Sequence, residues 1–389
     1  MFRPTFAGLA ALLAVCPLQA QTTVSLTKPA AELDEPFTSI ASIRELPSGK
    51  VLVADRQDKV VQLIDFASGS VTKVGREGQG PGEYAIPVGL LAMPNGVTWI
   101  NDIGGRRFLE VDPNGKPGKT IQPPGAGSGG MMMISISGGG TDSKGRYYYQ
   151  APPFNPTNLG GESPDSLAIL RWDGAEKVDT VAWMVGPKAN VSTSGGGGNR
   201  TSVSIRLGSG KVFSPAEAWG VADDGSVVRV QPNPYRVLRY PAGSTKPAVG
   251  PTQAYTPLKV TQADKDEVIE ARKRSRPMFI SRSSGGTQTT TNNNIQLPDP
   301  EFEETKPPFS SGAGAGAPVL VAPEGEVWVL RNQVAGAKNP VYDVFDRAGT
   351  VAKKVTLRPR SRVVGFGKGT VYVVRLDEDD LQYLERYTR

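Results

Sequence analysis

The sequence predicts an all-β chain folded as a six-bladed β-propeller, with loop insertions and one short helix. Three observations predict it. A unit recurs six times: an apolar run, a turn ending in glycine, a β-rich run, a polar turn, and a second β-rich run closing near an acidic residue. The turn glycines are Gly49, Gly96, Gly145, Gly225, Gly325 and Gly369, and their short steps match the roughly 40–50 residues of a four-stranded propeller blade. The 389 residues include 46 glycines and 33 prolines, a composition that favours many turns over long helices.

The first copy is Ile40 to Ile43, Val51 to Asp55 and Val60 to Asp65. The second is Val88 to Ala92, Val97 to Asp102 and Phe108 to Asp112; the third is Met133 to Ile136, Tyr147 to Gln150 and Leu167 to Asp173. The fourth is Ala218 to Val221, Val227 to Val230 and Tyr235 to Tyr240, and the fifth is Val319 to Val321, Val327 to Arg331 and Val341 to Asp346. The sixth is Val363 to Phe366, Val371 to Arg375 and Leu381 to Glu385. Sixteen residues separate Gly49 from Asp65, Gly96 from Asp112, Gly225 from Pro241 and Gly369 from Glu385, while the third and fifth copies carry longer turns. Glycine suits the first turn because a tight hairpin needs a residue at φ > 0. Aspartate suits the strand end, where its carboxylate can accept from the backbone of the next turn.

The sixth copy has no fourth strand before Arg389. Thr23-Val24-Ser25-Leu26, ahead of the first inner strand, is the expected substitute, lying beside Leu381 to Tyr387 and closing the ring without open sheet edges. The extreme N-terminus reads as a signal peptide over 1–20: Arg3 supplies a positive start, Ala7 to Val15 an apolar run, and Leu18-Gln19-Ala20 a small residue before Gln21. That run is shorter than the ~20 residues needed to cross a bilayer. An exported protein, periplasmic or extracellular, is expected, with the propeller over 21–389. A minor alternative lipidates Cys16, the only cysteine. A chain exported without disulfides relies on burial and ring closure for stability.

Val51 to Asp55 with Arg56 to Asp65 resembles an NHL repeat, and Gly75 to Tyr84 is similar to the segment joining such repeats. Tyr342 to Asp346 and the acidic Asp377 to Leu381 resemble a group of exported bacterial six-bladed propellers, mostly without an assigned function. The resemblance implies fold and export; it implies little about activity, because one propeller scaffold serves many functions.

Insertions are expected at about 185–213 and 251–316, in surface loops. Gly125 to Gly140, Gly195 to Gly198 and Ser281 to Asn294 are too poor in apolar residues to order themselves alone. Thr261 to Arg274 is the helix, with Thr261 as N-cap, acids after it and bases at its end. It is read either as a solvated cover over the propeller mouth or as a basic anion-binding element.

Chemistry is narrowed mainly by what is missing. The chain has no histidine, which removes histidine-bound zinc and Ser-His-Asp or Cys-His catalysis. The net charge of +6 is spread thinly and gives no nucleic-acid footprint. In a propeller, the turns between second and third strands share one face with the linkers between blades. Here that face is expected to carry Asp55, Arg56, Asp58, Asp102, Arg106, Arg107, Gln150, Gln231, Arg331 and Arg375. Acids in the early blades and arginines in the late ones suit an anionic or zwitterionic ligand gripped bidentately; the plainer reading pairs them between blades. The leading expectation is a non-catalytic binding module for a small ligand, glycan or protein, monomeric and without a resident cofactor. Among six-bladed propellers are Ca²⁺-dependent lactonases and esterases, and that alternative draws on Glu83, Asn101 and Asp102, oxygen donors suited to Ca²⁺. A structural part in an envelope assembly is the third expectation.

Overall fold

A computed structural model describes residues 22–123, 139–151, 164–186, 189–196, 200–207, 210–274, 278–283, 286–291, 299–310 and 316–389. The expected signal segment with Cys16 lies outside them, as does the run 133–136. Six antiparallel sheets follow one another in sequence. Blade one is Ile40–Glu45, Val51–Asp55, Val60–Asp65 and Ser70–Lys73; blade two is Pro87–Ala92, Thr98–Asp102, Arg107–Val111 and Pro117–Ile121. Blade three is Gly139–Thr141, Tyr147–Gln150, Leu167–Trp172 and Val178–Met184; blade four is Ala218–Val221, Val227–Pro232, Tyr235–Tyr240 and Ala248–Val249. Blade five is Val319–Val321, Val327–Leu330, Val341–Phe345 and Val351–Leu357; blade six is Ser361–Gly367, Thr370–Leu376, Gln382–Thr388 and the returning Ala31–Glu32. The chain is therefore the six-bladed β-propeller its repeats predict.

Two assignments are corrected. The inner strand of blade three is Gly139–Thr141, placed by pairing with Tyr147–Tyr149, while the expected run 133–136 lies outside the described residues. Thr22–Leu26 does not close blade six: it lies parallel to Lys353–Leu357 as a fifth strand of blade five. Blade six is completed by Ala31 and Glu32 opposite Arg386 and Glu385, followed by a bridge from Phe37 to Gln382. The reason is reach. The stretch leading directly into the first inner strand is the one that arrives beside the last blade, and the segment before Pro29 falls one blade further back. Deleting residues 22–28 is therefore expected to lower the melting temperature less than deleting 22–38; equal losses would contradict this division of labour.

The core lies between blades rather than within them. One apolar cluster fills each of the six interfaces, including blade six against blade one, where Phe37, Ile40 and Val53 meet Tyr372, Val374 and Leu384. Second strands contribute most, because they are covered on both faces: Val51, Leu52, Val53 and Ala54 are fully buried, each of the larger ones worth ~1.5–3 kcal/mol in transfer from water. All six turn glycines have positive φ, between 70° and 93°. At Gly225 (φ 81°) a Cβ would also lie 2.8 Å from Arg146 and 2.9 Å from Asp142 of blade three. Gly225→Ala is expected to cost about 1–2 kcal/mol from the left-handed backbone alone, measurable by denaturant unfolding. The strand-end aspartates act as expected: Asp112 Oδ1 accepts from the N–H groups of Asn114 (2.8 Å) and Lys116 (2.9 Å), and Asp173 Oδ1 from those of Ala175 (2.9 Å) and Lys177 (3.2 Å).

Both long insertions leave from linkers between blades, hence from one face, and they pair with each other. Lys211–Val212 runs parallel to Glu301–Phe302, while Leu258–Lys259 runs antiparallel to Thr305–Lys306. The helix, Gln262–Arg274, is seated beside them. Thr261 and Asp264 cap it reciprocally, Thr261 N–H donating to Asp264 Oδ2 at 2.8 Å. Buried Lys306 donates to Asp264 Oδ1 and to the Gln333 carbonyl, and Gly336 N–H donates to Glu267 at 2.7 Å. These contacts dock the helix on the second-to-third-strand loop of blade five. Burial pushes the Asp264 carboxyl up, but Lys306 and the Thr261 hydrogen bonds outweigh it and hold it below its usual 3.8. A carboxyl depressed in the folded state stabilises above its unfolded value and loses that contribution as pH falls through the folded one. Helix docking is thus expected to persist at about pH 4 and weaken only below it, as hydrogen exchange of the helix amides would report.

Candidate functional site

The acids expected at the mouth face inward. Asp55 and Asp102 are both 0 % exposed. Asp55 Oδ2 accepts from the N–H groups of Thr38 (2.8 Å) and Ser39 (2.9 Å), and Oδ1 from those of Gln57 (2.9 Å) and Asp58 (3.0 Å). Asp102 repeats the device: Oδ1 accepts from Ala85 (3.0 Å), Ile86 (2.9 Å) and Gly105 (3.0 Å), and Oδ2 pairs with Arg107 Nε at 3.2 Å. Each carboxylate ties the incoming linker to its own blade's turn. Arg107 is spent on the same joint, donating to the carbonyls of Gln79 (3.0 Å) and Glu83 (2.8 Å). Gln150 accepts from Trp219 Nε1 at 3.2 Å, and Gln231 donates to Glu217 at 2.8 Å. Arg56 is exposed; Arg106 is half-buried with φ 55°.

The oxygen donors considered for Ca²⁺ do not fit that ion. Glu83 Oε2 accepts from Gly80 N–H at 2.8 Å and Oε1 from Arg76 Nε at 2.7 Å, and these contacts hold its carboxyl below the usual range. The Arg107 guanidinium occupies the side of Asp102 that a cation would need. Asn101 alone offers a free oxygen, its buried Oδ1. Among the described residues no three His, Cys, Asp or Glu side chains gather to hold a metal.

Arg375 clasps the ring. Its Nε donates to Glu385 Oε1 at 2.7 Å and its Nη2 to Glu32 Oε1 at 2.6 Å, so it bridges the last blade to the returning strand. Fully buried Glu385 also accepts from Arg358, and its Oε2 from the Tyr387 hydroxyl at 2.7 Å. Both oxygens are satisfied.

Arg331 occupies the equivalent place in blade five, six residues after the turn glycine, yet its surroundings differ. It pairs with Asp343 of the third strand, as Arg375 pairs with Glu385. Its guanidinium lies 5.4 Å from the Tyr235 ring and 4.9 Å from the Tyr255 ring. The Tyr235 hydroxyl donates to Asp343 Oδ2 at 3.0 Å, and burial together with the Asp343 charge pushes that phenol well above its usual range. It therefore remains a donor. Asp343 is 2 % exposed, and its other oxygen, Oδ1, is buried without a partner; so is Arg331 Nε. A buried acceptor left unmet costs about 1–3 kcal/mol. Beside it opens a cleft of about 200 Å³ between blades four and five, lined by Tyr235, Gln253, Ala254, Arg331, Asp343, Val351 and Lys354. Lys354 stands across the ladder from Asp343.

Of the residues expected to bind ligand, only Arg331 lines this cleft. Asp343, Tyr235, Lys354 and Gln253 were not singled out by the sequence. One signal was available: Asp343 interrupts the apolar run Val341–Phe345, and a charge inside a buried strand requires a partner or a purpose.

No model of a known protein family matches this chain, and no curated protein does. Several solved structures share its course. An exported protein from Bacteroides fragilis is 11 % identical over 95 % of this chain and 100 % of its own, with a TM-score of 0.49. A calcium-binding protein, regucalcin, from Agrobacterium tumefaciens is 11 % identical over 95 % and 98 %, with a TM-score of 0.41. Virginiamycin B lyase from Staphylococcus aureus is 11 % identical over 93 % and 99 %, with a TM-score of 0.39. Similarity at this level carries no argument about activity. Among the described residues no helix is long and apolar enough to cross a membrane.

Proposed function

We propose that this chain is an exported, non-catalytic binding propeller whose ligand is a small polar molecule held in the cleft between blades four and five. The observation that supports the reading is the unmet Oδ1 of Asp343 beside that cleft. Blade six provides the internal comparison: its equivalent pair, Arg375 and Glu385, has every carboxylate oxygen occupied. A ligand hydrogen-bond donor at Asp343 Oδ1 would complete blade five in the same way. The cleft volume, about 200 Å³, is below the ~300–1,000 Å³ of drug-sized sites, so the ligand is small. Export is supported by the signal features of residues 1–20.

The test is the small-molecule content of protein purified under native conditions. Denaturation should release a bound compound from the wild type and not from Ala254→Trp, whose indole fills the cleft from an exposed position. Identical release profiles would defeat the reading. Catalysis through Ca²⁺ is not part of it: dialysis against EDTA is expected to leave the melting temperature unchanged, and a drop reversed by Ca²⁺ would revive the hydrolase alternative.

A further inference from the structure

We infer that the cleft is selective for small monoanionic hydroxycarboxylates, an inference that rests on the cleft being a ligand site. Charge decides the class. Three ionised groups line the cleft: Arg331, Asp343 and Lys354. Arg331 and Asp343 neutralise each other in direct contact. Lys354 has no ion-pair partner among the described residues, although it faces Asp343 across the ladder. The cleft therefore carries one uncompensated positive charge, in partial shelter from solvent, where a ligand carboxylate is favoured over a neutral group.

The second requirement comes from Asp343 Oδ1, which needs a donor. Its carboxylate charge is already met by Arg331 and by the Tyr235 hydroxyl. A hydroxyl is sufficient there, and an ammonium would bring a second cation next to Arg331. A carboxylate on Lys354 and a hydroxyl on Asp343 Oδ1 together describe a hydroxy acid. The same two contacts disfavour a plain carboxylic acid, which leaves Oδ1 unmet, and a neutral polyol, which leaves Lys354 unmet. The amide nitrogen of Gln253 donates to the Pro251 carbonyl at 3.0 Å, and its oxygen, which has no donor among the described residues, can accept from a further hydroxyl.

Four matched probes separate the possibilities by isothermal titration calorimetry: glycerate, serine, glycerol and propionate. Glycerate is expected to bind at least about tenfold more tightly than each of the others, the factor that follows from one hydrogen bond to a charged group. Lys354→Met should remove that advantage while the melting temperature stays within the wild-type range, and Ala254→Trp should abolish binding. Serine, glycerol or propionate binding as tightly as glycerate, with loss on Ala254→Trp, would overturn the ligand class and leave the site standing. Glycerate binding unaltered by Lys354→Met would overturn the class as well. No binding by any of the four, with wild type and Ala254→Trp indistinguishable, would make the cleft a hydrated gap and overturn the site too.

Discussion

Replacing Glu385 with alanine is expected to lower the melting temperature by about 5 °C. Glu385 is fully buried and receives Arg358, Arg375 and the Tyr387 hydroxyl. Removing it leaves Arg358 without its counter-charge and Arg375 with Glu32 alone, and breaking a buried pair of this kind costs about 3–5 kcal/mol. An unfolding entropy of about 2.1 cal/mol/K per residue converts this into a shift of a few degrees for a domain of this size. The loss is concentrated at ring closure, because Arg375 also holds Glu32, whose strand completes blade six opposite Glu385. Glu385→Gln keeps the shape and one acceptor and should fall between alanine and wild type. Unchanged melting in Glu385→Ala would show that the apolar contacts of Leu33 and Phe37 close the ring without the clasp.

The second large effect is expected at Asp102. Asp102→Ala deprives the N–H groups of Ala85, Ile86 and Gly105 of their acceptor and leaves Arg107 without its counter-charge. At about 1–3 kcal/mol for each buried group left unmet, the total is on the order of 4 kcal/mol once relaxation is allowed. Asparagine is the informative control. With its amide oxygen in the Oδ1 place it keeps the three backbone N–H donors and its NH₂ faces only Arg107 Nε, so Asp102→Asn should fall between alanine and wild type. An Asp102→Asn as costly as alanine would show that the Arg107 counter-charge, and not the backbone acceptor, carries the effect. Neither substitution is expected to alter ligand affinity at the blade-four/blade-five cleft, which shares no residue with this joint.

Much of the scaffold was legible because it depends on local spacing. A glycine at positive φ, a strand that closes sixteen residues on in four of the copies, and apolar runs are each satisfied within one hairpin, so six copies can be counted along the chain. Helix capping by Thr261 is equally local. The third copy resisted because its inner strand, Gly139–Thr141, has almost no side chain to betray it. The closing strand was misassigned for a related reason: Thr22–Leu26 is the stronger β pattern, whereas two residues, Ala31 and Glu32, do the closing through position and a charge.

By itself, the sequence determined the blade number, the hairpin chemistry and the loss of histidine- and disulfide-based options. Tertiary structure alone decided where each charge points. Asp55 and Arg331 hold the same place in their repeats, yet one collects backbone N–H groups of the neighbouring linker and the other pairs across its own sheet. Around them, other partners lie far off along the chain: Tyr235 is 108 residues from Asp343, and Glu32 is 343 from Arg375. Hydrogen-bond direction at those contacts is set by how blades abut, a packing property that no local spacing encodes. The same packing leaves Asp343 one donor short, where Glu385 is complete.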